Sequence, residues 1–183
     1  MGSKGTFAAD IAAIRKRARE KLEMGAITEN YGGDVQVAIS LLNEALATEI
    51  VCVLRYKSHA VAATGISSES VKEEFAQHAR EEEEHMDLIA ERINQLGGKP
   101  NFNPEGLTTR SHAEYVEGGS LVDMIKEDLV AERIAVESYG EIVRFIGDKD
   151  STTRRMMEGI LAMEEEHADD LSSMLETLDP SKK

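Results

Sequence analysis

Four stretches of this chain carry an apolar seam at helical spacing, and a glutamate interrupts each seam at mid-length. In the first, Leu42, Leu46, Glu49, Val53 and Tyr56 recur at alternating steps of four and three. The second reads Phe75, Ala79, Glu82, His85, Ile89, Ile93, Leu96, and the third Leu121, Ile125, Leu129, Glu132, Val136, Tyr139, Val143, Ile146. The fourth is Met157, Ile160, Glu164, His167, Leu171, Met174, Leu178. Such stripes bury each helix against its neighbours. A chain that buries all four also brings four carboxylates into one interior.

That arrangement is costly unless something compensates it. A carboxylate at a core position costs several kcal/mol without a partner. No lysine or arginine lies on the seams, although Arg55 and Arg133 stand beside them and are expected to lend partial help. Two divalent cations would balance four carboxylates, and two neutral imidazoles would complete a ligand set. The pattern therefore points to a metal site.

The spacings favour one site over scattered polar residues. Glu49 and Glu82 are 33 positions apart, and Glu132 and Glu164 are 32 apart. Each second glutamate is followed at +3 by a histidine, His85 or His167, on the same helix face one turn on. Each first glutamate is followed at +7 by a tyrosine, Tyr56 or Tyr139, two turns along that face. The chain reads as two copies of one helical hairpin.

Within the run Glu81 to Glu84, only Glu82 has a counterpart, because Met163 occupies the place equivalent to Glu81. Glu81, Glu83 and Glu84 are read as a solvated face. Tyr56 is expected to hydrogen-bond a ligand carboxylate, and Tyr139 is the weaker candidate for that role. His59 and His78 read as satisfied packing histidines, His112 as exposed, and Cys52 as a small buried hydrophobe.

The predicted elements fit an all-α four-helix bundle with one long crossover between its second and third helices, plus an additional N-terminal helix. Thr6 is a plausible cap for a basic amphipathic helix over about 7–24. Asp34 caps a long helix to about Ala63. Ser67, Ser68 and Ser70 offer caps for a second, to Leu96. Residues 99–119 form the crossover, with one short helical turn. Ser120 caps the third long helix, to Ile146; the fourth spans 151–178, and Asp179-Pro180 ends it. Residues 1–33 are read as an extension and 34–179 as the functional unit. A length of 183 residues suits this single unit.

Net charge is −14, which disfavours nucleic acid and anionic membrane as the main partner and favours cations. Only residues 1–33 carry a positive excess, with six basic and four acidic side chains, so DNA contact there is the minor reading and docking onto an acidic neighbouring subunit the major one. One cysteine excludes an internal disulfide and a Cys-x-x-Cys zinc site. No apolar run is expected to reach the roughly 18 residues of a membrane span, and the N-terminus lacks the apolar core of a signal peptide. The expected location is cytoplasmic.

The segments "ALATEIVCVLRYKSH", "EEEHMDLIAERI", "EDLVAERI" and "EEEHADDL" resemble the bacterioferritins and, more broadly, the ferritin-like di-iron carboxylate proteins, over about residues 35–178. The resemblance implies two iron ions per subunit. Glu49 and His85 would hold one, Glu132 and His167 the other, and Glu82 and Glu164 would bridge them. It implies a ferroxidase that oxidises Fe(II) with O2 or H2O2 and passes Fe(III) to a mineral inside a hollow homo-oligomeric shell. Glu83 stands where the haem-binding methionine of bacterioferritins would be, so haem is not expected. The absence of a fifth short helix and the N-terminal extension suggest a Dps-like mini-ferritin that forms a dodecamer. The rivals are a di-iron peroxidase or oxygenase without storage and a Dps-like DNA-protecting protein.

Overall fold

The computed structural model describes residues 9–65 and 68–178, all of whose regular structure is helical. Thr6, Ser67 and Asp179-Pro180 lie outside the described residues. The elements are α1 (Ile11–Arg17), α2 (Val35–Ala62), α3 (Ser68–Gln95), α4 (Leu107–Arg110), α5 (Leu121–Ile146) and α6 (Ser151–Leu178).

Local chemistry sets the ends of the long helices. Asp34 accepts from the Gln36 and Val37 amides at 3.0 and 3.1 Å and starts α2. The Ser68 hydroxyl donates to the Gly65 carbonyl at 2.8 Å as α3 begins. Gly97 takes φ +74° and ends α3, and the Gly98 amide then reaches the Ile93 carbonyl at 2.9 Å. A Cβ on Gly98 would lie 2.8 Å from Ile39, so glycine also permits the chain to cross close to α2. Ser120 caps α5 through the Asp123 amide. Asp150 caps α6, accepting from the amides of Thr152 and Thr153 at 3.1 and 2.9 Å.

The first helix is shorter than expected. Asp10 caps it through the Ala13 amide, and it ends at Arg17. Lys21 has φ +51°, a conformation that no right-handed helix can include, and a 3-10 turn over Leu22–Met24 follows. The basic helix expected over 7–24 is thus a seven-residue helix and a turn.

The long helices pack as two pairs, α2 on α3 and α5 on α6, with α2 also against α5 and α3 against α6. Their apolar residues form two main clusters. One contains Leu42 and Leu46 of α2, Ile89 and Ile93 of α3, Tyr139 and Ile142 of α5, and Met157 and Ile160 of α6. The other contains Cys52 and Tyr56, Phe75 and Ala79, Ile125, and Leu171 and Leu175. On every helix the seam glutamate falls between the two clusters. The membership also fixes direction, since α2 and α6 run from the first cluster to the second while α3 and α5 run back. Full burial of each large side chain stabilises by about 1.5–3 kcal/mol, so each apolar layer outweighs much of the polar one between them.

Two expectations need correction. The α5 seam drifts: Leu121, Leu129 and Val136 are half-buried, while Met124, Asp128, Ala131 and Ala135 face inward. A helix of 3.6 residues per turn rotates away from a strict heptad, which explains the shift. Also, α2 is long and apolar enough to meet a length-and-composition criterion for a membrane span, contrary to expectation. Its second apolar face packs elsewhere, because Ala47 and Val51 meet Leu107 of the crossover. Interior Glu49 and Arg55 further mark α2 as a core helix.

The crossover is pinned across α2. Asn43 accepts from the Asn101 amide at 2.8 Å, Thr48 accepts from the His112 amide at 2.9 Å, and Arg55 donates to the Glu114 carbonyl at 2.9 Å. Arg55 also donates to Asp128 at 2.7 Å, and His59 joins Asp128 to the Val116 carbonyl at 2.8 and 3.1 Å. Arg133 is exposed, and Arg55 gives its short hydrogen bonds to Asp128 and Glu114 while its charge is felt at Glu132, so the expected partial help comes from Arg55 alone of the two.

A second buried ion pair, at the other end of the bundle from Asp128, ties the segment before α2 to the start of α6. Arg92 donates to Asp150 at 3.0 Å, and Tyr31 donates to the same carboxylate at 2.7 Å. Burial alone would raise the Asp150 pKa, but hydrogen bonds from Thr153, Tyr31 and Arg92 bring it down to about 2. The depressed value means the contribution of Asp150 is fully present above the ordinary carboxylate range and is lost as pH falls toward 2. Asp150→Ala removes a helix cap and leaves Arg92 buried without its partner. We expect it to lower stability at pH 7 by about 2–4 kcal/mol in denaturant unfolding, and the gap to wild type to close as pH falls below 4.

Candidate metal centre

The polar layer between the two apolar clusters gathers one group of side chains. Glu49 comes from α2, Glu82 and His85 from α3, Glu132 from α5, and Glu164 and His167 from α6. All six sequence-selected residues are buried, His85 least so at 5% exposure. The +3 spacing on α3 and α6 does what helical geometry requires, turning Glu and His of each motif to the same interior.

Their donor atoms fall into two overlapping sets. Glu49, Glu82, His85 and Glu164 form one set with ligand-capable atoms within 4.8 Å of one another, and Glu82, Glu132, Glu164 and His167 form the other. Glu82 and Glu164 belong to both. His85 Nδ1 lies 3.0 Å from Glu164, 3.3 Å from Glu82 and 3.5 Å from Glu49. His167 Nδ1 lies 3.5 Å from both Glu82 and Glu164.

Buried side-chain atoms without a hydrogen-bond partner concentrate here. Glu49 Oε2, Glu82 Oε1, Glu132 Oε2, both oxygens of Glu164 and His167 Nδ1 make six of the eight such atoms among the described residues. Buried polar atoms are normally satisfied, so this concentration is what an inward-facing ligand set looks like.

The tyrosines hold the two outer glutamates, and they do so across the hairpins. Tyr56 of α2 donates to Glu132 of α5, and Tyr139 of α5 donates to Glu49 of α2. Tyr139 therefore plays the same part as Tyr56, not a lesser one. Each bond leaves the other oxygen of its glutamate facing the centre.

Glu81 also differs from expectation. It is half-buried and accepts from His167 Nε2 at 3.0 Å, which orients the ring and leaves Nδ1 toward the interior. Glu83 keeps its surface role and pairs with Lys57. His112 is half-buried beside Glu44, and Cys52 is buried, with Arg55 3.7 Å from its sulfur. His85 borders a surface groove lined by Glu84, Leu88, Arg155, Met156 and Met163.

The protonation pattern follows from burial and mutual repulsion. Burial, and then the charge of Glu82, pushes Glu49 up to about 8. Burial and the charges of Glu82 and Glu164 raise Glu132 well above the carboxylate range. Burial pushes Glu82 and Glu164 upward too, but the close approach of Glu49, His167 and His85 to Glu82, and of His167, His85 and Glu132 to Glu164, prevails and holds both below that range. Burial disfavours charge on His167, yet Glu164 and Glu82 raise it to about 10, and His85 is raised by Glu164, Glu49 and Glu82. In the metal-free protein, protons on Glu49, Glu132, His85 and His167 thus do the neutralising.

Cations entering this cage would have to displace those protons. Zn(II) loading at pH 7 is expected to release about four protons per subunit, measured by pH-stat, and apparent affinity is expected to increase from pH 6 to pH 8. Tyr56→Phe and Tyr139→Phe should each weaken Zn(II) binding by about 10–100-fold, to similar extents, in competition with a chelating indicator.

Residues 39–180 match the ferritin-like domain. A bacterioferritin-related protein from Bacteroides fragilis, described as a dodecameric thioferritin, superposes with a TM-score of 0.78 at 34% identity, covering 82% of this chain and 91% of that one. A DNA protection during starvation protein from Pyrococcus furiosus is 32% identical over 77% of this chain and 78% of its own length. The bacterioferritin of Mycobacterium avium is 29% identical over 80% and 88% respectively. The chain belongs to the ferritin-like family.

Proposed function

We propose that this protein is a ferroxidase of the Dps-like mini-ferritin kind, which oxidises Fe(II) with O2 or H2O2 at an intra-subunit two-iron centre and stores or detoxifies the Fe(III) in a hollow oligomeric shell. The observation that carries this reading is the pair of donor sets sharing Glu82 and Glu164. Glu49 and His85 would hold one Fe(II) and Glu132 and His167 the other, with Glu82 and Glu164 available to both. Four carboxylates match the charge of two Fe(II), so the bound pair is neutral in a low-dielectric layer.

Two adjacent Fe(II) supply one electron each, which meets the two-electron demand of O2 reduced to peroxide or of peroxide reduced to water. The chain's part is positional. Tyr56 and Tyr139 fix the outer glutamates, Glu81 fixes His167, and the flanking apolar layers limit water. Haem has no role in this reading. Residues 34–179 form the catalytic unit and 1–33 an extension, in a cytoplasmic shell of twelve subunits. The net charge of −14 suits the gathering of Fe(II).

Anaerobic titration should find two Fe(II) per subunit, and Glu82→Ala/Glu164→Ala should abolish binding. Unchanged binding in that variant would refute the site. The mass of the assembly and the iron retained after aerobic loading separate storage from a peroxidase or oxygenase without a shell. A DNA-protecting role would draw on Arg15, Lys16 and Arg17 in the last turn of α1. It requires a salt-dependent mobility shift that disappears when residues 1–24 are deleted.

A further inference from the structure

His78 is 1% exposed and its two ring nitrogens have different surroundings. Nδ1 lies 3.2 Å from the Tyr56 hydroxyl. That hydroxyl already donates its proton to Glu132, so its oxygen accepts from His78 Nδ1–H. The neutral ring then carries its lone pair on Nε2. Nε2 faces Glu74 Oε1 at 3.4 Å and Asp170 Oδ2 at 4.0 Å. Three acceptors converge with no donor among them, an arrangement that a cation resolves.

The three residues have ligand-capable atoms within 4.8 Å of one another, and they come from two helices, α3 and α6. Their exposure is graded. The side chains of Asp170 and Glu74 are 47% and 34% exposed, and His78 is buried behind them. The His78 ring also stacks on His167 at 4.1 Å between centroids. The cluster therefore stands between solvent and the four-glutamate cage.

We propose that His78 Nε2, Glu74 and Asp170 form a third site, outside the cage, for a divalent cation of the Fe(II) or Zn(II) class, and that cations pass through it on their way inward. One imidazole and two carboxylates suit such borderline ions, and the open side leaves room for water ligands. The passage role rests on the ferroxidase reading; occupancy of the site does not. His78 links the site to the cage through Tyr56, so a cation on Nε2 holds the tautomer that supports the Tyr56–Glu132 bond.

Crystals of the full chain grown with Zn(II) test occupancy by anomalous scattering at the zinc edge. A peak about 2.0–2.1 Å from His78 Nε2, lost in Glu74→Gln/Asp170→Asn, is expected. No peak at His78 under saturating Zn(II), or one held instead by Glu81 and His167, overturns the site. A peak at His78 with none at Glu82 and Glu164 would leave this site standing and refute the two-metal reading. Stopped-flow Fe(II) oxidation tests passage. Glu74→Gln/Asp170→Asn should raise the KM for Fe(II) at least threefold with kcat unchanged, and an unaltered KM overturns the passage role.

Discussion

Mutual repulsion among four carboxylates at one level of a helical core is the constraint around which the rest of this structure is arranged. An apolar layer on either side forces the helices together, and without that pressure the glutamates would separate and hydrate. Removing one layer would therefore disturb the glutamate cage as surely as removing one of its side chains. Contacts within the polar layer explain why protons settle on Glu49 and Glu132 but not on Glu82 and Glu164: each of the central pair meets both imidazoles, whereas each of the outer pair is tied to a neutral phenol and Glu49 meets one imidazole. A leucine at any of the four places would suit folding better and binding worse.

Much of this was legible before any coordinates. Helical period and the +3 and +7 spacings are local properties, so the six candidate ligands and both tyrosines can be assigned to one interior from residue types alone. The helix limits also followed from Asp34, Ser120 and the glycines. What escaped depended on pieces that meet only in three dimensions. Asp128 reads as an ordinary polar position on α5, yet it is buried because Arg55 and His59 come to it from α2. Arg55 lies beside the first seam and reads as available to the glutamates, and His59 reads as a packing residue. The path of the crossover, which needs an anchor, decides otherwise.

Glu81 and His78 show the same limit from another direction. In the run Glu81 to Glu84 nothing marks one outer carboxylate as different, because the difference comes from His167 on a helix 86 residues away in sequence. His78 lacks a counterpart in the second hairpin, and that absence made it look like packing. Glu74 lies one turn before it on α3, but Asp170 comes from α6, so no spacing rule joins all three.

The cage is close to symmetric under exchange of its two hairpins, since glutamate, histidine and tyrosine each have a mate and the tyrosines trade partners. Its surroundings break that symmetry. The His167 half is backed by Glu81, His78 and an acidic approach, whereas the His85 half borders a groove with Leu88, Met156 and Arg155. Duplicate donor sets are thus given unlike environments, one anionic and one mixed. Two chemically matched positions become distinguishable to an arriving ion or oxidant, and a near-twofold cage acquires a front and a back.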